Sequence, residues 1–471
     1  MSYVFYNRVV AKKSWKFWTI PFVVAGAQLG FQLPAVAQNV QSQGNAVKNQ
    51  QALSPVQSIA AQLANDGIYF NSRYLGEFAA NPSGGQRQGS DFAGELNFGA
   101  TANLARIAGI QGGSVNVLFT ARNGRNLAGD TINSSVPVQQ IYGDGETYQL
   151  TLFTYDQTLF NNKLKFSFGR TELANSFLQS SLYCNFQSNA LCGRPYAMGK
   201  DTSTSFYPLA VWGANAQINP LPRYYLKVGL YQSNPSLNPQ TSHGFDWNMS
   251  KSNGFLVPIE LGYAWHQNGG TAENRYDIGV ILDRTHYTNP IYDAQGQSYL
   301  LNNSSPAPEY GRVLVYAQAQ QMVYQNAAEP ERNAYTFAAA LFGASGDKQT
   351  ARYGGEVGFV DNGPFASRPY DSLNVGVGLT HYGNNYINSL YDVRLAAGGT
   401  QRPDQNLIMA EINYNIQLNK WASIQPNLQY VVHPDGLAGS TYPQANLPNA
   451  FVVGIQFSVD IGKALGFDLN Q

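Results

Sequence analysis

The stretch Phe451-Val452-Val453-Gly454-Ile455-Gln456-Phe457-Ser458-Val459-Asp460 decides the fold. Phe451, Val453, Ile455, Phe457 and Val459 lie on one face, and Gly454, Gln456, Ser458 and Asp460 on the other. A period of two is that of a β-strand with one apolar side. Working back from this stretch, the same pattern recurs sixteen times between Gly67 and Ile461. The spacing predicts strands near 67–81, 90–106, 112–122, 147–158, 162–170, 203–218, 222–232, 254–267, 273–286, 310–324, 332–344, 350–360, 373–383, 405–416, 420–432 and 449–461. A soluble sandwich shares the period. Sixteen regular repeats with long and short connectors in alternation fit an antiparallel transmembrane β-barrel better. A barrel of that size encloses water.

Connectors 123–146, 171–202, 233–253, 287–309, 384–404 and 433–448 are long, whereas Leu159–Asn162, Asn219–Pro222, Asn268–Ala272 and Gln417–Asn419 are tight turns. Two break the rule: 345–349 is short and Asp361–Ser372 long. The asymmetry gives the orientation of outer-membrane barrels, with the tight turns in the periplasm.

The chain opens on a basic segment with Arg8, Lys12, Lys13 and Lys16, an apolar run from Phe17 to Pro34, and Ala35-Val36-Ala37. These are the three parts of a secretory signal peptide, residues 1–37, cleaved after Ala37. An uncleaved N-terminal anchor is the alternative, but Gln28, Gly30, Gln32 and Pro34 interrupt the apolar run. Cleavage leaves 434 residues with 25 basic and 29 acidic side chains. Residues 38–66 read as a periplasmic leader, and its second half carries a helix signal. Ser54 is placed as N-cap, Pro55 at the first helical position and Gln57 to complete a capping box. Val56, Ile59, Ala60 and Leu63 share one face, and Gly67 stops the helix. So short a helix needs something to dock on; the barrel mouth is one place and a mere spacer the alternative. Residues 67–471 form the barrel domain.

Charged residues are only 12% of the chain, aromatics reach 13%, and there are 46 glycines. Low charge with abundant Tyr and Phe suits an apolar outer band bounded by aromatic girdles. Mean hydropathy is −0.28, as expected where half of each strand faces water. No segment after Ala37 approaches the roughly 20 apolar residues of a spanning helix. No basic tract points to nucleic acid. Cys184 and Cys192 lie close together in an Asn/Ser/Gln-rich connector, and in an oxidising periplasm they are expected to pair. Neither a nucleotide motif nor a metal motif is visible, so no cofactor and no metal is expected. His243, His266, His286, His381 and His433 are scattered over loops and strand ends, outside any hydrolase motif.

Alternation also assigns faces. Phe70, Tyr74 and Phe78 oppose Asn71, Arg73 and Glu77, and Phe92, Leu96 and Phe98 oppose Asp91, Glu95, Asn97, Thr101 and Asn103. Lys227, Glu260, Arg352, Glu356 and Glu411 likewise sit between apolar neighbours. A basic side chain facing lipid near the midplane costs about 2–4 kcal/mol, which directs such residues to the lumen. Arg73, Glu77, Glu95, Asn97, Lys227, Glu260, Arg352, Glu356 and Glu411 are therefore the candidate substrate-path residues. Both signs of charge are present, unlike the single-signed ring of an ion filter. Mixed charges can pair and leave donors and acceptors for a polyhydroxylated neutral solute. Connector 171–202, the longest, is the candidate to fold inward and narrow the channel; covering the rim is the alternative.

Certain motifs are familiar beyond their periodicity. Phe160–Arg170 with Phe177, then Cys184-Asn185-Phe186 and Cys192-Gly193-Arg194-Pro195, resemble the carbohydrate-selective outer-membrane porin family of the OprB type. So do Gly363-Pro364-Phe365-Ala366-Ser367-Arg368-Pro369 with Asp371–Gly376, and the closing run Ile424–Pro434 with Asn449-Ala450-Phe451. The resemblance spans Gly67 to Ile461. It implies a sixteen-stranded porin passing monosaccharides, with inward loops and Arg and Glu side chains at the constriction. One departure is the C-terminus, which runs ten residues past Ile461. Leu465, Phe467 and Leu469 keep the outward parity, so the last strand is open to extension to about Phe467.

The resulting expectation is a passive outer-membrane channel for small neutral sugars and polyols, embedded in lipid and open to homo-oligomerisation. A general or organic-acid porin is the runner-up, to be favoured by an excess of lumen Arg and Lys over Asp and Glu. An outer-membrane hydrolase is the reading from a different class.

Overall fold

Sixteen antiparallel strands close into one barrel in the computed structural model, each paired with its sequence neighbours and the first with the last. The structure describes residues 54–142, 145–237 and 239–467. The expected signal peptide, the first part of the leader and Leu469 lie outside the described residues. The strands are β1 (Ile68–Ser83), β2 (Gly89–Asn103), β3 (Gly113–Gly124), β4 (Thr147–Leu159), β5 (Leu164–Thr171), β6 (Val211–Leu221), β7 (Tyr224–Ser233) and β8 (Gly254–Trp265). They continue with β9 (Asn274–Asp293), β10 (Pro306–Gln325), β11 (Asn333–Gly343), β12 (Ala351–Asn362), β13 (Ser372–Tyr382), β14 (Asn406–Asn419), β15 (Ala422–Val432) and β16 (Ala450–Asp460). Among the described residues six α-helices accompany them: α1 (Pro55–Asn65), α2 (Leu104–Ala108), α3 (Ala197–Asp201), α4 (Pro239–Ser242), α5 (Asn384–Ala396) and α6 (Ile461–Leu465).

The two-residue alternation along each strand sets the two faces of the wall. Val453 and Ile455 are exposed outward while Gln456, Ser458 and Asp460 are buried inward. Closure joins this strand to β1, from Arg73 opposite Asp460 to Ser83 opposite Phe451. The long connectors 125–146, 172–210, 234–253, 383–405 and 433–449 gather at one end, and turns such as 160–163, 222–223 and 420–421 at the other.

Strand bounds differ most from expectation at β6, β9 and β10, each for a physical reason. Residues 203–210 are not part of β6, which starts at Val211. The Ser203 N–H instead donates to Asp283 on β9 at 2.8 Å, and Tyr207 points into the lumen network described below. β9 and β10 are longer than predicted, because their pairing runs on to Pro306 opposite Asp293. Pro306 and Pro308 flank a register shift, where a residue without an N–H is tolerated in a sheet. The last strand does not extend to Phe467. It ends at Asp460, whose carboxylate accepts the Lys463 N–H at 2.7 Å and caps α6. Phe467 then returns edge-on to Phe70 on β1, with ring centres 5.9 Å apart.

Helix α1 carries the capping box read from its sequence, with Ser54 and Gln57 bonded reciprocally at 3.2 and 3.0 Å. It rests on the short-turn end, where the Arg106 guanidinium donates to the Ala64 carbonyl at 2.6 Å. Of its apolar residues Ala60 is buried, while Val56 and Ile59 are exposed.

One gap in the wall is closed from outside. β5 stops at Thr171, so the upper edge of β4 beyond Phe153 has no strand partner on that side. Connector 234–253 reaches back to fill it. The Leu150 N–H donates to the His243 carbonyl at 3.1 Å, and Trp247 stacks on Phe153 at 6.0 Å. The Trp212 indole N–H donates to the Trp247 carbonyl at 3.0 Å.

Candidate functional site

The lumen is shaped by the connector that leaves β5. Gly169 holds φ +143°, and a Cβ there would lie 2.1 Å from the Phe153 carbonyl oxygen, so only glycine allows this approach. Residues 172–210 then cross the barrel interior and pack on the inner wall of β7–β12. Leu173, Phe177, Leu178, Tyr183, Phe186 and Leu191 are buried against Tyr231, Leu256, Tyr316 and Phe337. Cys184 and Cys192 form a disulfide, with Cα atoms 4.3 Å apart. Tyr183 and Phe186 both meet Phe337 edge-on, at 5.4 and 5.9 Å.

A connector buried in this way must find partners for its backbone N–H groups. Wall carboxylates supply them. Glu260 accepts the Leu178 N–H at 3.1 Å, and Glu411 accepts those of Gln187 and Ser188 at 2.9 and 2.7 Å. Glu77 does the same for connector 125–146, which also folds inward, accepting from Ile141 at 3.4 Å and from the Gln140 amide at 3.3 Å. The relation is reversed at Asp201 of α3, whose carboxylate accepts the Ala351 N–H of β12 at 2.8 Å. Burial pushes the Asp201 carboxyl up to about 7.

Between the connector and the strands β1–β7 a cavity of about 870 Å³ remains open. One side carries a continuous polar network. Arg122 and Glu95 pair at 2.6 Å, and the Asn97 amide donates to Glu95 at 2.7 Å. The Asn97 carbonyl in turn accepts from Thr120 at 2.6 Å and from the Tyr207 hydroxyl at 2.7 Å. The Arg122 guanidinium lies 4.9 Å above the Tyr207 ring. Burial, reinforced by the charge of Glu95, holds the Tyr207 phenol above its usual range, so it stays a donor. Arg73 donates to Ser458 at 3.0 Å on the adjoining wall. Lys227 closes the far side, donating to the Ser176 carbonyl at 2.6 Å and pairing with Glu260 at 3.2 Å. Arg194 stacks 3.8 Å over Phe206 on the connector itself. Burial raises the carboxyl of Glu172 beneath it.

The nine residues read as substrate path from the sequence separate into groups. Arg73, Glu95, Asn97 and Lys227 line the open cavity. Glu77, Glu260 and Glu411 face inward but are at most 2% exposed, because the connectors lie over them; they anchor connectors and do not border open lumen. Glu356 is also covered, and neither of its oxygens has a hydrogen-bond partner among the described residues. Arg352 does not face the lumen. A register shift between Ala351 and Tyr353 turns it outward, 4.6 Å over the exposed Phe342 ring and bonded to the Gly343 carbonyl at 3.0 Å. Sequence reasoning missed Arg122, Lys165, Arg194, Lys200 and Tyr207. The parity of Thr120 and Arg122 within β3 was the available signal for the first.

His243, His286 and His381 each lie against an exposed tyrosine, Tyr148, Tyr310 and Tyr353 respectively, at 4.2–4.9 Å. Among the described residues no group of three His, Cys, Asp or Glu side chains is placed to hold a metal ion.

A closed sixteen-stranded barrel narrowed by an inward, disulfide-closed connector can be set beside known proteins. Residues 87–460 match the family described as carbohydrate-selective porin, OprB family. The chain belongs to that family. Porin B of Pseudomonas aeruginosa is 27% identical over 411 residues, covering 84% of this chain and 88% of that protein. A putative porin, QuiX, of Acinetobacter baylyi is 26% identical over 406 residues, covering 80% and 87%. The solved high-pH structure of Pseudomonas putida OprB superposes with a TM-score of 0.76 at 25% identity, covering 85% of this chain and 95% of that one. This OprB-family chain is thus an outer-membrane type carbohydrate porin.

Proposed function

We propose that this porin lies in the bacterial outer membrane and passes monosaccharides and small polyols by passive diffusion through the cavity beside β1–β7. The observation that carries this reading is the network of Glu95, Asn97, Thr120, Arg122 and Tyr207 on one side of an otherwise open lumen. Its donors and acceptors are held in place by one another, so they present fixed positions to the hydroxyls of a passing sugar. Such groups replace part of the solute's hydration while holding it weakly enough to release it.

The tight-turn end, with α1 and α6, is the periplasmic end in this reading. Residues 1–37 are removed as a signal peptide after Ala37, and residues 38–66 form a periplasmic leader ending in α1. The outward band of Phe, Leu, Val and Tyr side chains meets lipid. Self-association of barrels through that band is compatible with this arrangement.

Liposome swelling with glucose, together with single-channel recording in planar bilayers, tests the reading. Glucose is expected to enter and to lower the ionic current reversibly as it occupies the lumen. Absence of swelling, with a current indifferent to glucose, would sink it.

A further inference from the structure

Basic side chains outnumber acidic ones along the open cavity, although ion pairs join the two signs elsewhere in the barrel interior, as in Lys227–Glu260, Arg275–Asp277 and Arg312–Asp283. The carboxylates of Glu77, Glu260, Asp283 and Glu411 are covered by inward connectors and engaged with connector N–H groups. On the open side, Arg73, Arg122, Lys165, Arg194, Lys200 and Lys227 line the cavity, against Glu95, Asp156 and Glu172. Arg122 is paired with Glu95, both 5% exposed, and Lys227 with Glu260, so those two pairs add little net charge. Of the other lining residues Arg73, Lys165, Arg194 and Lys200 are basic, against Asp156 and Glu172, the latter 5% exposed. The lining of the open cavity therefore carries a net positive charge, in a chain with 25 basic and 29 acidic residues after Ala37.

We infer that the channel favours carbohydrates bearing a carboxylate, such as hexuronates and aldonates, over neutral sugars, and neutral sugars over amino sugars. This rests on the sugar-channel reading above and adds a charge to the substrate class. The sign follows from electrostatics. A lumen with low-dielectric walls focuses the field of its lining charges, raising the local concentration of counter-charged solute. Arginine adds geometry, since a planar guanidinium can take a carboxylate through two parallel N–H donors. Hydroxyl groups of the same solute still meet Asn97 and Tyr207, so the preference is for charged sugars over small anions that lack hydroxyls.

The test uses the purified full-length porin in proteoliposomes and planar bilayers. Tracer entry of glucuronate, glucose and glucosamine is compared at low ionic strength, where the Debye length is about 30 Å. Glucuronate is expected to outpace glucosamine by on the order of tenfold. Glucose should fall between them, and the spread should shrink in high salt. In a KCl gradient the reversal potential should lie on the chloride side. Lys165→Gln combined with Lys200→Gln should lower glucuronate entry toward that of glucose. Glucosamine entering as fast as glucuronate, or a reversal potential on the potassium side, overturns the inference. Glucose entry is the separate readout of the sugar-channel reading: if glucose fails to enter while glucuronate outpaces glucosamine, that reading fails and the charge preference stands.

Discussion

Glu411, on β14, accepts the Ser188 backbone N–H at 2.7 Å, joining two residues 223 positions apart in sequence. The same carboxylate takes the Gln187 N–H, so one side chain fixes the middle of the inward connector. Hydrogen bonds to a charged acceptor contribute about 1.5–3 kcal/mol each. Glu411→Gln keeps the shape but removes the charge, and its amide NH2 opposes one of the two N–H donors. The variant barrel is expected to form, with a noisier open-channel current and faster proteolysis near residue 188. Single-channel noise analysis and limited proteolysis check this. A current as quiet as that of the unaltered protein would mean the apolar packing holds the connector alone.

The Cys184–Cys192 bond closes a loop within that connector. On the chain-entropy description, so small a loop contributes about 2.5 kcal/mol. Cys184→Ser with Cys192→Ser is expected to leave strand content unchanged by circular dichroism while broadening the distribution of conductance levels. Reductant should reproduce the effect on the unaltered protein and have none on the variant.

Asp201 gives the connector a pH dependence whose sign can be worked out. Its carboxyl is raised from 3.8 to about 7, because burial at 1% exposure outweighs the Ala351 N–H and the nearby Arg312 charge. Below the unfolded value both states hold the proton, and above about 7 neither does. Between the two, only the folded state holds it, so this group's contribution falls as pH rises, by on the order of 4 kcal/mol across the window. Thermal melts from pH 4 to pH 8 should therefore fall more steeply for the unaltered protein than for Asp201→Asn, which retains an acceptor for Ala351. Parallel slopes would show that Asp201 titrates as an ordinary carboxylate.

Connector 234–253 is the other external element with a specific task. Trp247 covers Phe153, the last residue of β4 paired with β5, and its carbonyl holds the Trp212 indole. Trp247→Ala should destabilise the barrel by about 1–3 kcal/mol, from lost aromatic contact and burial. Heat-modifiable migration on gels should show unfolding at lower temperature, with little change in conductance, since the strap lies outside the lumen.

Parity explains what was legible in the sequence. Which way Glu77, Glu95, Lys227, Glu260 and Glu411 point follows from a two-residue period, a property of the local backbone. Whether such a residue then meets water or a covering connector depends on contacts such as Glu411 with Ser188, which no local pattern encodes. A single extra residue also defeats parity: the bulge at Ala351 and Tyr353 turned Arg352 from lumen to outer face. Tyr207 was hidden for the opposite reason, because its surroundings alternate like a strand although residues 203–210 run inside the barrel. The mixed charge expected of the lumen is present in the Arg122–Glu95 and Lys227–Glu260 pairs. That basic side chains outnumber acidic ones along the open cavity depends on which residues the connectors cover, and that no local pattern encodes.

Glu95 and Arg122 test whether the lumen network acts as a unit. The pair is buried, at 2.6 Å, and holds Asn97 through its amide. Removing one partner of a buried pair leaves the other uncompensated, at a cost of about 3–5 kcal/mol. Glu95→Ala should therefore do more than widen the pore. Arg122 is expected to swing toward water, Asn97 to lose its orientation, and Tyr207 to lose the acceptor that fixes its hydroxyl. Ionic conductance should rise, while block of the current by glucose weakens severalfold. The double variant Glu95→Ala with Arg122→Ala removes the stranded charge and should regain stability without regaining block. Glucose block that survives Glu95→Ala unchanged would place the sugar contacts elsewhere in the cavity, with Arg73 and Lys227 the next side chains to alter.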